Sequence, residues 1–459
     1  MFGRVFNSVD PVVSLVMASR ARKQRAEKWL RYYHDQQSDE TLRLIGQKWS
    51  KPEAFRLFQV NIVKKTINKR ANLYRLAPRR IFTGLDQEAG DALYRAMNAD
   101  VVLKRASRLV KLLKTGALQV GWSATGPTLH VVTPNVLDAI APDPEFPNRL
   151  IITHNAEREI DRTFSDWTAT TYQRRDYRGA PLAISGNPGN VNPYGVLPFV
   201  ALFDRHPDDC FFLPGGDDLI EAQEAINVAL TNLWRAVELQ AHGQAWATGL
   251  PAGEAVRIGP ERAITLPDGG KFGFAAPNAP ISDILEAIQF VMRQTAAAND
   301  LSADVFDLDR ASESGAAKHV EQIDLKEARL DDIALWRTFE ARLWNVIKAV
   351  VNTHRPGTIP ADATMTVDFA ELQENVSETE RLTNARTRIE LGAWSPVDLL
   401  RAENPDGFPT REDALAELMK RKAETETLRP TPAVAVPAPV EPVAADTDTQ
   451  ENDDDHAAE

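Results

Sequence analysis

The longest uninterrupted helical pattern in this chain constrains its fold more than any other feature. It runs from Ala311 to Val351, has no Pro or Gly after Gly315, and is closed by Pro356 and Gly357. Apolar residues recur three, four or seven positions apart, which is the spacing of one helix face, while the opposite face is charged. These apolar positions are Ala316, Val320, Ile323, Leu330, Ile333, Trp336, Phe339, Leu343, Val346 or Ile347, and Val350. At 1.5 Å per residue the predicted helix is about 50 Å long, which exceeds what a compact small domain needs.

Length and composition indicate a globular protein. The chain has 459 residues, 43% of them hydrophobic, so it can bury a sizeable core and form about two to four structural units. A single cysteine, Cys210, excludes an intramolecular disulfide framework. The apolar run from Pro11 to Met17 is too short for a signal peptide, and no stretch approaches the ~20 apolar residues of a membrane span. We therefore expect the protein to be cytosolic where it is made.

Charge is distributed unevenly along the chain, whose formal net charge is −12. Residues 1–115 hold 24 Lys and Arg against 10 Asp and Glu, a net of +14. Residues 429–459 hold one Arg against eight acids, a net of −7, which leaves −19 for residues 116–428. An acidic body argues against tight DNA binding, because neutralising phosphates drives sequence-independent affinity. It is compatible with a surface that DNA slides past.

Periodicity and turn residues predict further elements, which place the chain in the α+β class with helix predominating. Helices are predicted over residues 20–47, 52–77, 87–97, 101–115, 219–242, 281–298, 378–391, 397–404 and 410–426. Antiparallel strands are predicted over residues 80–83, 118–122, 129–132, 150–153, 168–173 and 365–369, and a small strand-containing module over 243–280. Gly116 is expected to cap the helix before it, and Ser395 followed by Pro396 to open the helix at 397. From Arg429 onward the Pro-, Ala- and acid-rich composition predicts disorder.

The segment before the long helix is acidic. Asp304, Asp307, Asp309 and Glu313 lie on both sides of Arg310. Carboxylates hold magnesium in nucleases and act in pairs in glycosidases, so a metal-dependent enzyme acting on nucleic acid is one interpretation. The segment itself contains neither a His nor a calcium-loop pattern, and the chain has no Gly-x-x-x-x-Gly-Lys-[Ser/Thr] loop for ATP. We therefore favour a non-enzymatic protein without metal or cofactor.

An ordered set of short motifs resembles the portal proteins of tailed bacteriophages. They are Asn61 to Pro78 (NIVKKTINKRANLYRLAP), Leu197 to Val200 (LPFV), Ile220 to Glu238 (IEAQEAINVALTNLWRAVE), Ser314 to Lys318 (SGAAK) and Leu391 to Asp398 (LGAWSPVD). Each motif alone is weakly specific. Their order and spacing, over about residues 50–425, are more specific than any one of them.

The resemblance implies an architecture of wing, stem, clip and crown that assembles as a ring, dodecameric if it follows the family. It divides the chain into a wing (1–216), a first stem helix (217–242), a clip (243–280), a second stem helix (281–298), a tunnel loop (299–315), the long helix with the return to the wing (316–375), crown helices (376–428) and a disordered acidic tail (429–459). Asp304, Asp307, Asp309, Arg310 and Glu313 then belong to the tunnel loop. A basic stripe of Lys64, Lys65, Lys69 and Arg70 then faces the capsid.

The implied function is the channel at one capsid vertex through which double-stranded DNA is packaged and ejected without sequence specificity. The implied partners are other copies of the chain, the major capsid protein and scaffold, the terminase large subunit as motor, and the head–tail adaptor. The implied location is the portal vertex of the virion, and the host cytoplasm during assembly, with no membrane contact. Besides the enzyme, a peripheral membrane or scaffold protein that uses the basic helices at 20–75 is a third interpretation.

Overall fold

Helix outweighs strand in this computed structural model: 51% of the described residues are helical and 18% lie in strands. The described residues are 10–47, 56–242, 244–249, 266, 268–275, 280–306, 323–369, 378–404, 407–408 and 410–428. The mixed, mainly helical composition expected from the sequence is confirmed. The chain divides into two compact units, Met1–Glu374 and Asn375–Glu459.

The described elements follow one another in an order that alternates helical and stranded stretches. The helices are α1 (Pro11–Ala18), α2 (Arg20–Tyr33), α3 (Ser38–Gly46), α4 (Ile62–Arg70), α5 (Gln87–Ala96), α6 (Ala99–Leu113), α7 (Asp217–His242), α8 (Ile281–Ala297), α9 (Ile323–His354), α10 (Glu378–Glu390), α11 (Pro396–Glu403) and α12 (Arg411–Leu428). The strands are β1 (Arg79–Thr83), β2 (Thr115–Ser123), β3 (Gly126–Val132), β4 (Leu137–Ile140), β5 (Arg149–His154), β6 (Thr163–Thr168), β7 (Tyr172–Arg175), β8 (Pro181–Leu182), β9 (Phe199–Phe203), β10 (Gln244–Thr248), β11 (Lys271–Ala275) and β12 (Thr364–Asp368).

All the strand pairs among the described residues are antiparallel, as predicted. One sheet has the order β3-β2-β9 and another the order β4-β5-β6-β7-β8. Two further sheets have two strands each, β1 with β12 and β10 with β11. The β1–β12 pair joins residues far apart in sequence, with Arg80 opposite Val367 and Phe82 opposite Met365. The chain thus returns after α9 to the region that it left before α5.

Helix α9 lies in the main hydrophobic core, where it packs against β2, β9 and β12. Trp336, Phe339, Leu343 and Ile347 are all buried, which confirms that part of the predicted apolar face. Leu330 is an exception, because 65% of its surface is exposed. The buried positions at this level are Arg329 and Asp332 instead. The first part of the predicted helix, residues 311–322, lies outside the described residues.

Several predicted boundaries are wrong, each for a local reason. The helix predicted over 20–47 is broken between α2 and α3, where Asp35 has a positive φ of 64°. The helix over 101–115 ends at Leu113 with Lys114 in the left-handed conformation as C-cap, so Gly116 already belongs to β2. The strand predicted over 168–173 spans the turn between β6 and β7, which Thr168 and Thr171 close through their hydroxyls at 2.7 Å.

The second unit contains α10, α11 and α12. Ser395 accepts a hydrogen bond from the Asp398 N–H, and the Asp398 carboxylate accepts one from the Ser395 N–H, so the pair forms a capping box at the start of α11. The N-cap predicted at Ser395 is confirmed. Val397, Leu400 and Ala414 form the small core of this unit. Residues 429–459, for which disorder is predicted, lie outside the described residues.

Candidate functional site

Helices α7 and α8 pack side by side and flank the β10–β11 hairpin. Ile226 on α7 and Ile288 on α8 are buried in one cluster, which Leu233, Ile284 and Val291 extend along the pair. The two helices observed over Asp217–His242 and Ile281–Ala297 agree with the predicted ones to within two residues. Apolar side chains at helical spacing on both partners explain why two single amphipathic helices form one hairpin.

Strands β10 and β11 lie at the end of the helical hairpin where the chain passes from α7 to α8. Trp246 lies directly opposite Gly273 in the pairing. A Cβ atom on Gly273 would lie 2.9 Å from the Trp246 ring, so glycine is needed for the indole to lie flat across the strand pair. Trp246 and Phe274 are both exposed, at 43% and 57%. Exposed aromatic side chains on this strand pair indicate a surface suited to contact with another protein.

The other end of the hairpin leads into a turn that packs under α4. Asp300 follows α8 with a positive φ of 55°, and its Oδ2 lies 2.7 Å from Nη2 of Arg70. Leu301 and Phe306 are buried beside Ile62 of α4 in the cluster that holds α7 and α8 together. The Lys65 ammonium lies 5.2 Å from the centre of the Phe306 ring, within the range of a cation–π contact. Helix α4 therefore holds the start of the segment predicted as the tunnel loop.

The same α4 is tied to α7 through a polar ladder, defined here as Gln223, Asn227 and Thr231. These side chains lie four residues apart on one face of α7, and all are at most 1% exposed. Oε1 of Gln223 accepts hydrogen bonds from the N–H groups of Ile62 and Val63, at 2.8 and 3.2 Å. Nε2 of Gln223 donates to the Val60 carbonyl, and Oγ1 of Thr231 accepts from the Phe58 N–H at 3.2 Å.

The helix predicted over 52–77 is wrong in its first part, and the polar ladder explains why. Residues 56–61 are not helical, and α4 begins only at Ile62, with Asn61 as its N-cap. Because side chains of the ladder bond backbone groups of Phe58, Val60 and Ile62, this segment is held in place without helical hydrogen bonds. Arg70 ends α4, and a 3₁₀ turn over Leu73–Arg75 follows.

The structure describes only part of the predicted tunnel-loop residues. Asp304 lies in the 3₁₀ turn Ala303–Phe306, which packs on α8. The predicted residues Asp307, Asp309, Arg310 and Glu313 lie outside the described residues. Among the described ranges, no three His, Cys, Asp or Glu side chains come together as they would to hold a metal ion.

The four residues of the predicted basic stripe differ in their contacts. Lys64 and Lys69 are exposed, whereas Arg70 binds Asp300 and Lys65 lies over Phe306. The structure thus brings two residues of the predicted capsid-facing stripe next to the start of the predicted tunnel loop. Sequence patterns missed this proximity, since about 230 residues separate α4 from Asp300 and no local signal links them.

Buried ion pairs fix α9 to the body of the first unit. Nζ of Lys111 on α6 lies 2.7 Å from Asp332 and 2.8 Å from Asp204. Burial raises the pKa of Asp332. Burial would also raise the pKa of Asp204, but the charges of Lys114 and Lys111 outweigh it and lower that pKa. Because the three groups come from α6, α9 and the end of β9, the pairing sets the position of α9 relative to the sheet.

No model of a protein family and no curated protein matches this chain. Similar solved structures include chains in the virion of a native gene transfer agent particle, in the neck of an empty particle with C6 symmetry and in the neck of a native particle with C12 symmetry. Their sequence identities are 14%, 12% and 13%, and their TM-scores are 0.43, 0.45 and 0.42. The matches cover 72% of this chain and 84%, 86% and 86% of the respective neighbours.

In the parts of the chain that the structure describes, no helix has both the length and the apolar character needed to span a bilayer.

Proposed function

We propose that this chain is a portal protein, the subunit of a ring at one capsid vertex through which double-stranded DNA enters and leaves a phage-like head. The observation that carries the proposal is the order and packing of the central unit. The helical hairpin α7–α8 bears the β10–β11 hairpin at one end, and the other end leads through an acidic segment into the long α9. This order matches what the portal-like sequence motifs imply.

In this proposal α7 and α8 are the stem helices, and residues 299–315 form the tunnel loop that narrows the channel. Copies of the chain, twelve if it follows the family, place their loops around one axis. Asp304, Asp307, Asp309 and Glu313 then face DNA with like charge. Carboxylates within about 8 Å of the phosphates repel them at physiological salt, so the wall does not retain the moving DNA.

The other parts of the chain are assigned their roles from their position in the sequence. The β10–β11 hairpin, with its exposed Trp246 and Phe274, belongs to the clip, which docks the terminase motor and later the head–tail adaptor. Lys64 and Lys69 point into solvent on the wing, where they meet the major capsid protein or scaffold. Helices α10–α12 form the crown. Since the chain has no phosphate-binding loop, the energy for packaging comes from the separate motor.

A packaging assay with altered loop charge tests the proposal. Heads assembled with Asp307→Asn and Asp309→Asn together are expected to contain less DNA, because removal of two charges per subunit weakens the repulsion between wall and phosphate. Glu157→Gln, which removes an exposed charge between β5 and β6, is the control and is expected to package normally. Equal packaging by both variants and the wild type would contradict the channel role of the loop.

A further inference from the structure

An apolar groove of about 320 Å³ opens between α7 and α8. Ala225 and Ala229 form its α7 wall, and Ile284 and Ala287 contribute to its α8 wall. Because alanine side chains end at Cβ, they leave space where larger residues would close the contact between the helices. Among the described residues that line the groove, Asp283 is the one with a charged side chain, and it is exposed.

An aromatic pair joins α7 to the neighbouring segment 56–61. The rings of Phe58 and Trp234 stack with centroids 6.0 Å apart and planes at 16°. Both side chains are exposed, at 44% and 37%. The Arg56 guanidinium carbon lies 5.7 Å from the centre of the Trp234 ring, so a positive charge adjoins the pair. Exposed aromatic side chains next to Arg have the composition of a protein–protein contact surface.

The groove and the aromatic pair lie on opposite sides of α7. Trp234 follows Ala225 by nine positions, which is about two and a half helical turns and places the two residues on opposite sides of the helix. Trp234 belongs to the side that carries the polar ladder and residues 56–61, whereas Ala225 and Ala229 face α8 and the groove. Two complementary surfaces on opposite sides of one chain make a head-to-tail contact, and such contacts build rings when the rotation closes.

We propose that the Phe58–Trp234 pair of one copy fills the α7–α8 groove of the next copy, with Arg56 paired to Asp283. The occupant is a second copy because the same chain carries both the apolar group and a groove to receive it. The charges beside them are also opposite in sign. This inference rests on the proposed function, since it specifies how the ring closes.

The proposed contact has a geometric consequence. Trp234 lies about 10 Å further along α7 than the centre of the groove, at 1.5 Å per residue. In a closed ring without axial translation, the aromatic pair and the groove of the next copy are at the same height. Helix α7 is therefore inclined to the ring axis.

Disulfide trapping in the full chain tests the contact. The double variant Arg56→Cys, Asp283→Cys is made with Cys210→Ser, because Cys210 is the chain's one natural cysteine. Mild oxidation is expected to give covalent multimers up to the full ring on a non-reducing gel. Arg56→Cys or Asp283→Cys alone presents one thiol per copy, so neither extends beyond a dimer. A double variant that forms rings by native mass spectrometry yet yields no multimers would overturn the inference.

Substitutions provide a second, independent test. Trp234→Ala removes the inserted group, and Ala229→Trp fills the groove. Each is expected to lower the ring fraction at fixed concentration about tenfold or more, with unchanged helix content by circular dichroism. Arg56→Asp is expected to weaken assembly and Asp283→Arg in the same chain to restore it. Val101→Ala, which changes an exposed apolar residue of α6, is the control.

The outcomes separate the two proposals. A wild-type chain that never forms rings would overturn the portal function and this contact together. Rings that form equally well with Trp234→Ala and Ala229→Trp would overturn the contact alone and leave the portal function standing.

Discussion

Arg80 and Glu340 form a bidentate ion pair between elements 260 residues apart. Nε and Nη2 of Arg80 donate to the two carboxylate oxygens of Glu340, at 3.0 and 2.8 Å. Both side chains are buried, and Tyr74 donates its hydroxyl to the same carboxylate at 3.0 Å. The pair attaches β1 to the middle of α9, so the long helix is held by directional contacts as well as by apolar packing.

Glu340→Gln is expected to lower the free energy of unfolding by about 3 kcal/mol, because the buried Arg80 then keeps only the half-exposed Asp100 as an ion-pair partner. Urea denaturation followed by circular dichroism measures the change. Glu88→Gln is the matched control, since Glu88 pairs with Arg95 on the surface, where both side chains are well exposed. That substitution is expected to change stability by less than about 1 kcal/mol. Equal effects of the two variants would contradict a role for burial.

Two buried tyrosines near this pair are expected to respond differently to loss of the hydroxyl. Tyr74→Phe removes a donor to the Glu340 carboxylate and is expected to cost about 1.5 to 3 kcal/mol. The Tyr94 hydroxyl is buried and has no hydrogen-bond partner among the described residues, so Tyr94→Phe is expected to be neutral or stabilising. Thermal unfolding of the two variants in parallel distinguishes these outcomes.

Stability is expected to fall at alkaline pH. Burial raises the pKa of Tyr74 and Tyr94 well above the usual value, and the Glu340 charge raises both further. Because the folded pKa exceeds the unfolded one, this contribution is complete below about pH 10 and is lost as pH rises from there towards the folded pKa. The Tyr74→Phe, Tyr94→Phe double variant is expected to lose stability less steeply, by about 1.4 kcal/mol per pH unit for each tyrosine removed. Identical slopes for both proteins would show that these phenols do not cause the alkaline loss.

The polar ladder on α7 is expected to control local opening of the neighbouring chain. Gln223→Leu leaves the N–H groups of Ile62 and Val63 without their acceptor and is expected to cost about 2 kcal/mol or more. Hydrogen exchange over residues 56–63 is expected to accelerate, while exchange in β5 and β6 stays unchanged. Gln289→Leu, at an exposed position of α8, is the control. Unchanged exchange at 56–63 in the Gln223 variant would contradict the role assigned to the ladder.

Sequence periodicity predicted those elements in which apolar residues make up most of the buried face. The second half of α9, the hairpin helices α7 and α8 and the central strands follow this rule. Leu330 breaks it, because Arg329 contacts Asn72 and Asp332 contacts Lys111, and these polar contacts turn the other side of the helix inward. A hydrophobic pattern contains no information on partners more than 200 residues away.

The site was less predictable than the fold, for the same physical reason. Residues 56–61 have an apolar pattern compatible with a helix, yet side chains of α7 bond the backbone of Phe58 and Val60 instead. The contact of Arg70 with Asp300 likewise depends on tertiary packing, so its cation was assigned by pattern to an outward-facing stripe. Tertiary hydrogen bonds override local propensity wherever they satisfy the backbone equally well.

The mass and symmetry of the purified protein test the portal proposal most directly. Native mass spectrometry and negative-stain imaging of the same sample measure both. The proposal predicts a closed ring of about a dozen copies with a central hole, held by head-to-tail contacts. A stable monomer that cuts DNA in the presence of magnesium would contradict it and would favour an enzyme using the carboxylates at 304–313.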